Sequence, residues 1–188
     1  MAPIVVAAAG WCAFAGYLIG QARAGPVLIW NDSQVYSSMA HHSLLSRALW
    51  LGPRPPITSL LIKAVGSSVA LVTTQAVIAA LAWGVLAWTV GCLVDPGWKR
   101  VIAFFAVLGF ATAFPITLWN RSELSESLAL SLLALVFAAF IWTARRPTWP
   151  RVAATSVACL GFAATRDAQV WTVGMFAVAA ALFAVIRL

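Results

Sequence analysis

Residues 69–94 read VALVTTQAVIAALAWGVLAWTVGCLV and contain no charged side chain. An α-helix needs about 20 consecutive apolar residues to cross the hydrocarbon core of a bilayer, and this stretch is long enough to do so. It is continuously apolar rather than alternating, which indicates a helix and not a strand of a membrane β-barrel. We therefore expect residues 69–94 to be a membrane span.

The composition of the whole chain points the same way. Of its 188 residues, 63% are hydrophobic and only 9% are charged, whereas a soluble domain carries roughly 25% charged residues. The net charge of +7 comes from basic residues scattered between apolar runs, and not from one basic face of the kind that binds nucleic acid. The expected fold class is all-α, a polytopic transmembrane bundle whose basic residues suit membrane lipid headgroups or a phosphate-bearing lipid substrate.

Apolar runs predict a single module over residues 1–188 with about six spans. They cover residues 1–20, 69–94, 101–118, 127–143, 152–164 and 168–186. No Lys or Arg precedes the first run, so it lacks the charged start of a signal peptide. Pro115 predicts a kink near the end of the third span. A turn at Arg166-Asp167 separates the last two runs, although one long kinked span would fit the same residues.

The long polar loop over residues 21–68 is expected to carry two helices that lie along the membrane surface. Apolar residues recur at helical spacing from Val35 to Leu49 with polar residues between them, which is typical of an amphipathic interfacial helix. A Gly- and Pro-rich segment around Arg54 ends this pattern. The apolar stretch from Ile57 to Val65 follows and is too short to span.

The short turns predict the orientation of the chain. Basic residues concentrate in the turns at 95–100 and 145–151, namely Lys99, Arg100, Arg145, Arg146 and Arg151. The positive-inside rule places these turns in the cytoplasm. The N-terminus is then cytoplasmic and the long loop external, as expected for a protein of the bacterial inner membrane.

Four of the five acidic residues then fall on the external side, namely Asp32, Glu123, Glu126 and Asp167. Charged groups at a membrane are costly and usually functional. Because these acids come from three separate loops, their placement on one face predicts a site there.

Asp32, at the start of the surface helix, has two interpretations. A carboxylate held at the mouth of a cavity suits a general base that takes a proton from an attacking hydroxyl group. The same side chain would also serve as a simple N-cap of the helix.

The segment from Arg121 to Ser127 supplies the second part of the predicted site. Glu126 would join Asp32 around a substrate, Arg121 would hold a phosphate or orient a carboxylate, and Glu123 would share a helix face with Glu126. The alternative is that these residues are interface anchors, with the acids favoured at a helix N-terminus.

Three further basic residues, Arg54, Lys63 and Arg166, could neutralise a phosphate leaving group, since fixed positive charge there lowers a reaction barrier. The alternative is that they anchor the chain to lipid headgroups. The sequence requires no metal, and its cysteines lack metal-ligand spacing. The clustered carboxylates could nevertheless hold Mg²⁺ or Mn²⁺.

The order of these features resembles the GT-C class of membrane glycosyltransferases, of the protein O-mannosyltransferase and aminoarabinose-transferase type. The matching pieces are Asp32 with Tyr36, Arg54-Pro55-Pro56, Arg121 with Ser125-Glu126-Ser127-Leu128, and Thr165-Arg166. The chain has Asn31-Asp32 where many members have paired acids. It ends at Leu188, where members continue with further spans, so we expect an N-terminal module.

The resemblance implies an inverting transfer of a sugar from a polyprenyl-phosphate carrier to a hydroxyl acceptor on the external face. Asp32 would be the catalytic base and Glu126 the acid between spans three and four. Substrate and phosphate would be bound by Arg54, Arg121, Arg166, Tyr36 and Glu123.

Two other functions remain open at this point. A shortened GT-C-like chain could be a non-catalytic scaffold or assembly subunit that works with a partner. A small transporter would instead need charged residues facing a cavity at mid-membrane, whereas the charges here lie at the predicted helix ends.

Overall fold

The computed structural model describes residues 2–166, 169–175 and 177. Regular structure in this part of the chain is helical, apart from one isolated parallel β-bridge between Leu28 and Ser122, so the all-α class is confirmed. The helices are α1 (Ala2–Arg23), α2 (Asn31–His41), α3 (Arg47–Trp50), α4 (Pro56–Val65), α5 (Ser68–Gly91), α6 (Trp98–Ala111), α7 (Phe114–Trp119), α8 (Ser125–Arg145) and α9 (Trp149–Ala163). Residues 169–175 are helical as well.

Three helices of the described residues are long and apolar enough to cross a membrane. They are α1, α5 and α8, with 22, 24 and 21 residues. Each falls on a predicted span. The chain is thus an all-α protein with three candidate membrane spans, which suggests an integral membrane protein.

The prediction of about six spans is wrong for spans three and five. Helix α6 has 14 residues and α9 has 15, which at about 1.5 Å per residue is about 22 Å, against a hydrocarbon core of about 30 Å. The third predicted span breaks because Pro115 cannot donate a helical hydrogen bond and its ring opposes the carbonyl of the preceding turn. Helix α6 therefore ends at Ala111, and α7 begins at Phe114. Most of the sixth predicted span, 168–186, lies outside the described residues.

The core is built from small residues that let the long helices approach closely. Helix α5 is central and packs against α1, α6 and α8, and its buried face includes Ala76, Ala79, Ala80 and Ala87. In a membrane the lipid tails are as apolar as leucine, so burial of apolar side chains does not drive helices together. Small residues at the interface instead let the helices pack closely. A side chain at Gly84 would collide with the Trp11 indole of α1.

The first of the two predicted surface helices, expected to continue from Val35 to Leu49, is divided into two in the structure. Helix α2 ends at His41, and α3 is a separate turn that begins at Arg47. The hydroxyl groups of Ser43 and Ser46 accept hydrogen bonds from backbone N–H groups two residues on, at 3.3 and 3.2 Å. Serine side chains favour such local turns over a continuing helix. The second short helix is present as α4, and it packs against α2.

The two ends of the bundle differ in their charges. One end carries the 24–67 segment, the 120–124 segment and Arg166, and we call it the loop end. The other carries Lys99, Arg100, Arg145, Arg146 and Arg151, and we call it the basic end. There the guanidinium of Arg145 donates to the Cys92 carbonyl at 2.9 Å and ties the end of α8 to the end of α5.

Candidate functional site

Three side-chain pairs form at the loop end between segments distant in sequence. Arg54 Nη2 lies 2.8 Å from Asp32 Oδ2, and Arg166 Nη1 lies 2.8 Å from Glu126 Oε1. In the third pair, the Tyr36 hydroxyl donates a hydrogen bond to Ser125 Oγ at 3.1 Å. We call these six residues the loop-end cluster.

Helix geometry explains why the three pairs lie together. Asp32 and Tyr36 are four residues apart on α2 and therefore share a face of that helix. Ser125 and Glu126 are consecutive in the first turn of α8. The Tyr36–Ser125 hydrogen bond thus brings the Asp32 side of α2 to the Glu126 end of α8.

Charged groups from both ion pairs act on the Tyr36 hydroxyl group. Burial of the phenol raises its pKa above the ordinary value of 10.0, while the hydrogen bond with Ser125 and the positive charge of Arg54 lower it. The charges of Glu126 and Arg166 act on the same hydroxyl group. The side chain is only 2% exposed, so the phenol is held in its neutral form as a hydrogen-bond donor.

Asp32 is not the N-cap of α2. The helix begins at Asn31, and the cap residue is Trp30, whose backbone N–H donates to the Ser33 hydroxyl at 3.0 Å. The Asp32 carboxylate instead pairs with Arg54 and is 43% exposed. Solvent or a ligand can therefore reach this side chain.

The chain reaches Arg54 through a segment that cannot be helical. Proline at positions 53, 55 and 56 disfavours helix for the residues before it. A side chain at Gly52 would press on the Ala48 carbonyl and the Met39 side chain, at 2.5 and 2.8 Å. This tight return over α2 places the Arg54 guanidinium beside Asp32.

Glu126 has one paired and one unpaired carboxylate oxygen. Oε1 accepts from Arg166, whereas Oε2 is buried and has no hydrogen-bond partner among the described residues. The Glu126–Arg166 pair lines a cavity of about 220 Å³ whose walls include Leu130, Leu133 and Phe162. An unpaired buried carboxylate oxygen is costly, so Glu126 is held in this position at a cost to stability.

The start of α8 is held by buried polar contacts. Gln75 of α5 donates to the Leu124 carbonyl at 3.1 Å, and the Ser127 hydroxyl donates to Asn120 Oδ1 at 2.6 Å. Glu126 lies in the first turn, where the helix dipole favours a negative charge. The 120–127 segment is thus a fixed platform for Ser125 and Glu126.

Arg121 and Glu123 do not join the cluster. The Arg121 guanidinium packs against Gly25 and donates to the Pro26 carbonyl at 3.4 Å. Glu123 lies on the Ser37 and His41 side of α2, where it lines two grooves. The prediction that Glu123 shares a helix face with Glu126 is wrong, because α8 begins only at Ser125 and Glu123 precedes it.

Lys63 has a structural role that the sequence did not indicate. Its ammonium group donates to the carbonyls of Ala40 and His42 at 3.0 Å each. A cation at this position satisfies the free carbonyls at the end of α2 and complements its dipole. Lys63 therefore holds α2 on α4.

Three candidate residues were missed from the sequence. Ser125 was noted only as part of a motif, because no pattern reveals its partner 89 residues away. Trp30 and Trp119 lie with ring centroids 6.2 Å apart, beside α2 and the Glu126 cavity. Trp119 directly follows the third predicted span, and aromatic residues are common at such membrane interfaces.

Among the described residues, no group of three or more His, Cys, Asp or Glu side chains is placed to hold a metal ion. Asp32 and Glu126 each face an arginine instead. Asp167, the other predicted external acid, lies outside the described residues.

Comparison of the chain with protein-family models, curated protein sequences and solved structures finds no match. The description of the site therefore depends on the geometry of this chain.

Proposed function

We propose that this chain is a module of a GT-C-type membrane glycosyltransferase in the bacterial inner membrane. It transfers a sugar from a polyprenyl-phosphate carrier to a hydroxyl acceptor on the side of the loop end. The supporting observation is that two arginine–carboxylate pairs, Asp32–Arg54 and Glu126–Arg166, form at the loop end and that charges from both pairs act on the buried Tyr36 phenol. Such a site combines an acceptor for a proton with cations for a phosphate.

In this proposal, phosphate binding at Arg54 frees Asp32 to act as the base. The acceptor oxygen attacks the anomeric carbon of the sugar, and its proton passes to the Asp32 carboxylate. The bond between that carbon and the phosphate oxygen breaks, and the polyprenyl phosphate departs with the bonding electrons. Arg54 and Arg166 stabilise the charge that develops on the phosphate.

The cavity beside Glu126 supports a lipid-linked substrate. Its charged end is the Glu126–Arg166 pair, and its walls are mainly apolar, with Ala129, Leu130 and Leu133 of α8. A carrier that joins a hydrocarbon chain to a phosphate has matching chemistry. The role proposed for Arg121 from the resemblance finds less support, because its guanidinium faces Pro26.

Asp32→Asn tests the proposal. Sugar transfer from a polyprenyl-phosphate donor to a hydroxyl acceptor would be measured with the purified chain in proteoliposomes, with and without a chelator of Mg²⁺ and Mn²⁺. We expect Asp32→Asn to lower the rate by about 10² to 10⁴, as for loss of a general base. Asp95→Asn at the basic end is the control, and it should leave the rate unchanged. Near-wild-type transfer by Asp32→Asn would falsify the assignment of the base.

A non-catalytic scaffold is the second candidate. The observation that favours it is that the Asp32 and Glu126 carboxylates already have arginine partners that tie α2 and α8 to other segments. A scaffold would show no donor turnover for the wild-type chain, and Asp32→Asn would then alter only its stability.

A further inference from the structure

A groove at the basic end is separate from the loop-end cluster. Two adjoining cavities, of about 170 and 500 Å³, share the lining residues Ile4, Ala7, Trp88 and Phe104. The smaller cavity opens at the basic end beside Gly97 and Arg100. The larger continues along α1 and α5 as far as Trp11 and Leu81.

The larger cavity has the chemistry of a hydrocarbon site. Of the described residues that line it, none carries a charge, an amide or a hydroxyl group. The indole N–H of Trp11 already donates to the Ala80 carbonyl at 2.9 Å, so it needs no further partner. Gly84 lets the Trp11 indole pack closely against α5, and Ala8 contributes only a methyl group to the wall.

The smaller cavity ends at a positive charge without a counter-ion. Within the described part of the chain, the Arg100 side chain makes no hydrogen bond or ion pair, and its Nε is buried. Asp95 is the acidic residue of this turn, and it pairs with the exposed Lys99 at 3.5 Å. A partly buried guanidinium without a partner favours an anionic ligand group.

We propose that this groove binds one anionic glycerophospholipid, with an acyl chain in the larger cavity and its phosphate at Arg100. Burial of an acyl chain in the apolar cavity is favourable, but in a bilayer that gain is shared by all lipids. The charge at Arg100 therefore provides the selectivity. Basic pockets between membrane helices bind anionic headgroups in this way, and the site does not depend on sugar transfer.

The test uses photoactivatable phosphatidylglycerol and phosphatidylcholine with the same diazirine-bearing acyl chain. The full chain is reconstituted in bilayers with either probe, irradiated, and the labelled residues are located by mass spectrometry. We expect phosphatidylglycerol to label the groove residues of α1 and α5, such as Leu81 and Val85, more strongly than phosphatidylcholine does.

Two pairs of variants on neighbouring residues separate the groove from general lipid contact. Ala8→Trp fills the groove and should remove most of the labelling, whereas Ala9→Trp, on an exposed position of α1 outside it, should not. Arg100→Gln should reduce the preference for phosphatidylglycerol about fivefold, as for one cation at a membrane surface. Lys99→Gln is its control, and circular dichroism shows that each variant is folded.

Three outcomes would overturn the proposal. Equal labelling by the two probes would mean ordinary annular lipid. Labelling that survives Ala8→Trp in a folded protein would place the lipid elsewhere. Cross-links across the groove between two copies of the chain would make it a subunit interface.

Discussion

At Tyr36, opposing influences act on a single hydroxyl group. Burial raises its pKa, and the hydrogen bond with Ser125 and the charge of Arg54 partly offset that effect. The sequence predicted that Asp32, Tyr36, Arg54, Glu126 and Arg166 would lie on one face, and the structure brings them together. It could not predict their pairing, because each contact joins residues that are 22 or more positions apart.

The Tyr36 phenol should lose its proton only at a higher pH than an exposed tyrosine does. Its pKa is above 10.0 in the folded protein, so the folded state binds the proton more tightly than the unfolded state does. Stability is therefore present below pH 10 and falls as the pH rises through the folded pKa. Tyr17→Phe leaves Tyr36 as the one tyrosine, and its phenolate absorbance should appear above pH 10. Titration at or below the ordinary value would contradict the burial of Tyr36.

Arg121 shows why residue roles were harder to predict than residue placement. It lies two residues from Glu123 in a segment that the sequence marks as polar, and its charge suited a phosphate. In the structure, its guanidinium instead packs against Gly25 and donates a hydrogen bond to the Pro26 carbonyl. That choice depends on the Leu28–Ser122 bridge, a contact between distant segments with no pattern in sequence.

On the scale of elements, the helices of the long loop were located correctly but α2 was predicted too long. Apolar periodicity continues to Leu49, yet Leu44 and Leu45 are exposed in the structure. Serine side chains end the helix after His41, and Lys63 then holds its last carbonyls. Local hydrogen bonding outweighed the periodic pattern.

Lys63→Met tests this role of α4. The variant keeps an apolar stem but removes both hydrogen bonds to the end of α2, so α2 should open more often. We expect faster hydrogen exchange of the amides in 31–41, with an increase of about fivefold for each 1 kcal/mol of lost local stability. Lys99→Met is the control at the other end. Unchanged exchange in α2 would show that α2 docks without this contact.

Gly84→Ala tests the close packing of α1 against α5. A methyl group there collides with the Trp11 indole, and overpacking of this kind costs about 1–3 kcal/mol. Gly16→Ala is the matched control, because its side chain would meet nothing within 4 Å, and replacing an exposed helical glycine stabilises by up to about 1 kcal/mol. The two variants should shift the thermal unfolding midpoint in detergent in opposite directions. Shifts of the same sign would show that Trp11 is not packed on Gly84.

For the whole molecule, composition was enough to predict an all-α protein with membrane-spanning helices. The number of spans was overestimated because apolar runs set only an upper limit on helix length. Pro115 divides one run, and α9 is 15 residues long although it is apolar. The described acidic residues other than Asp95 lie at the loop end, as the alternation of the runs predicted, whereas basic residues lie at both ends.

Orientation in the membrane is tested by labelling from one side. In a cysteine-free background, Gln34→Cys reports on the loop end and Lys99→Cys on the basic end, and both positions are exposed. The positive-inside rule predicts that a membrane-impermeant maleimide added to intact bacterial spheroplasts labels Gln34→Cys alone. Labelling of Lys99→Cys alone would reverse the orientation and place the loop end in the cytoplasm.

The joining of α2 to α8 at the loop end is the central claim, and a double-mutant cycle at Tyr36 and Ser125 tests it most directly. Unfolding free energies of the wild type, Tyr36→Phe, Ser125→Ala and the double variant would be measured by denaturant titration in detergent micelles. Since each single change removes the same buried hydrogen bond, we predict a coupling energy of about 1 kcal/mol. Strictly additive effects would mean that the two side chains do not meet, and the loop-end cluster would then not exist as described.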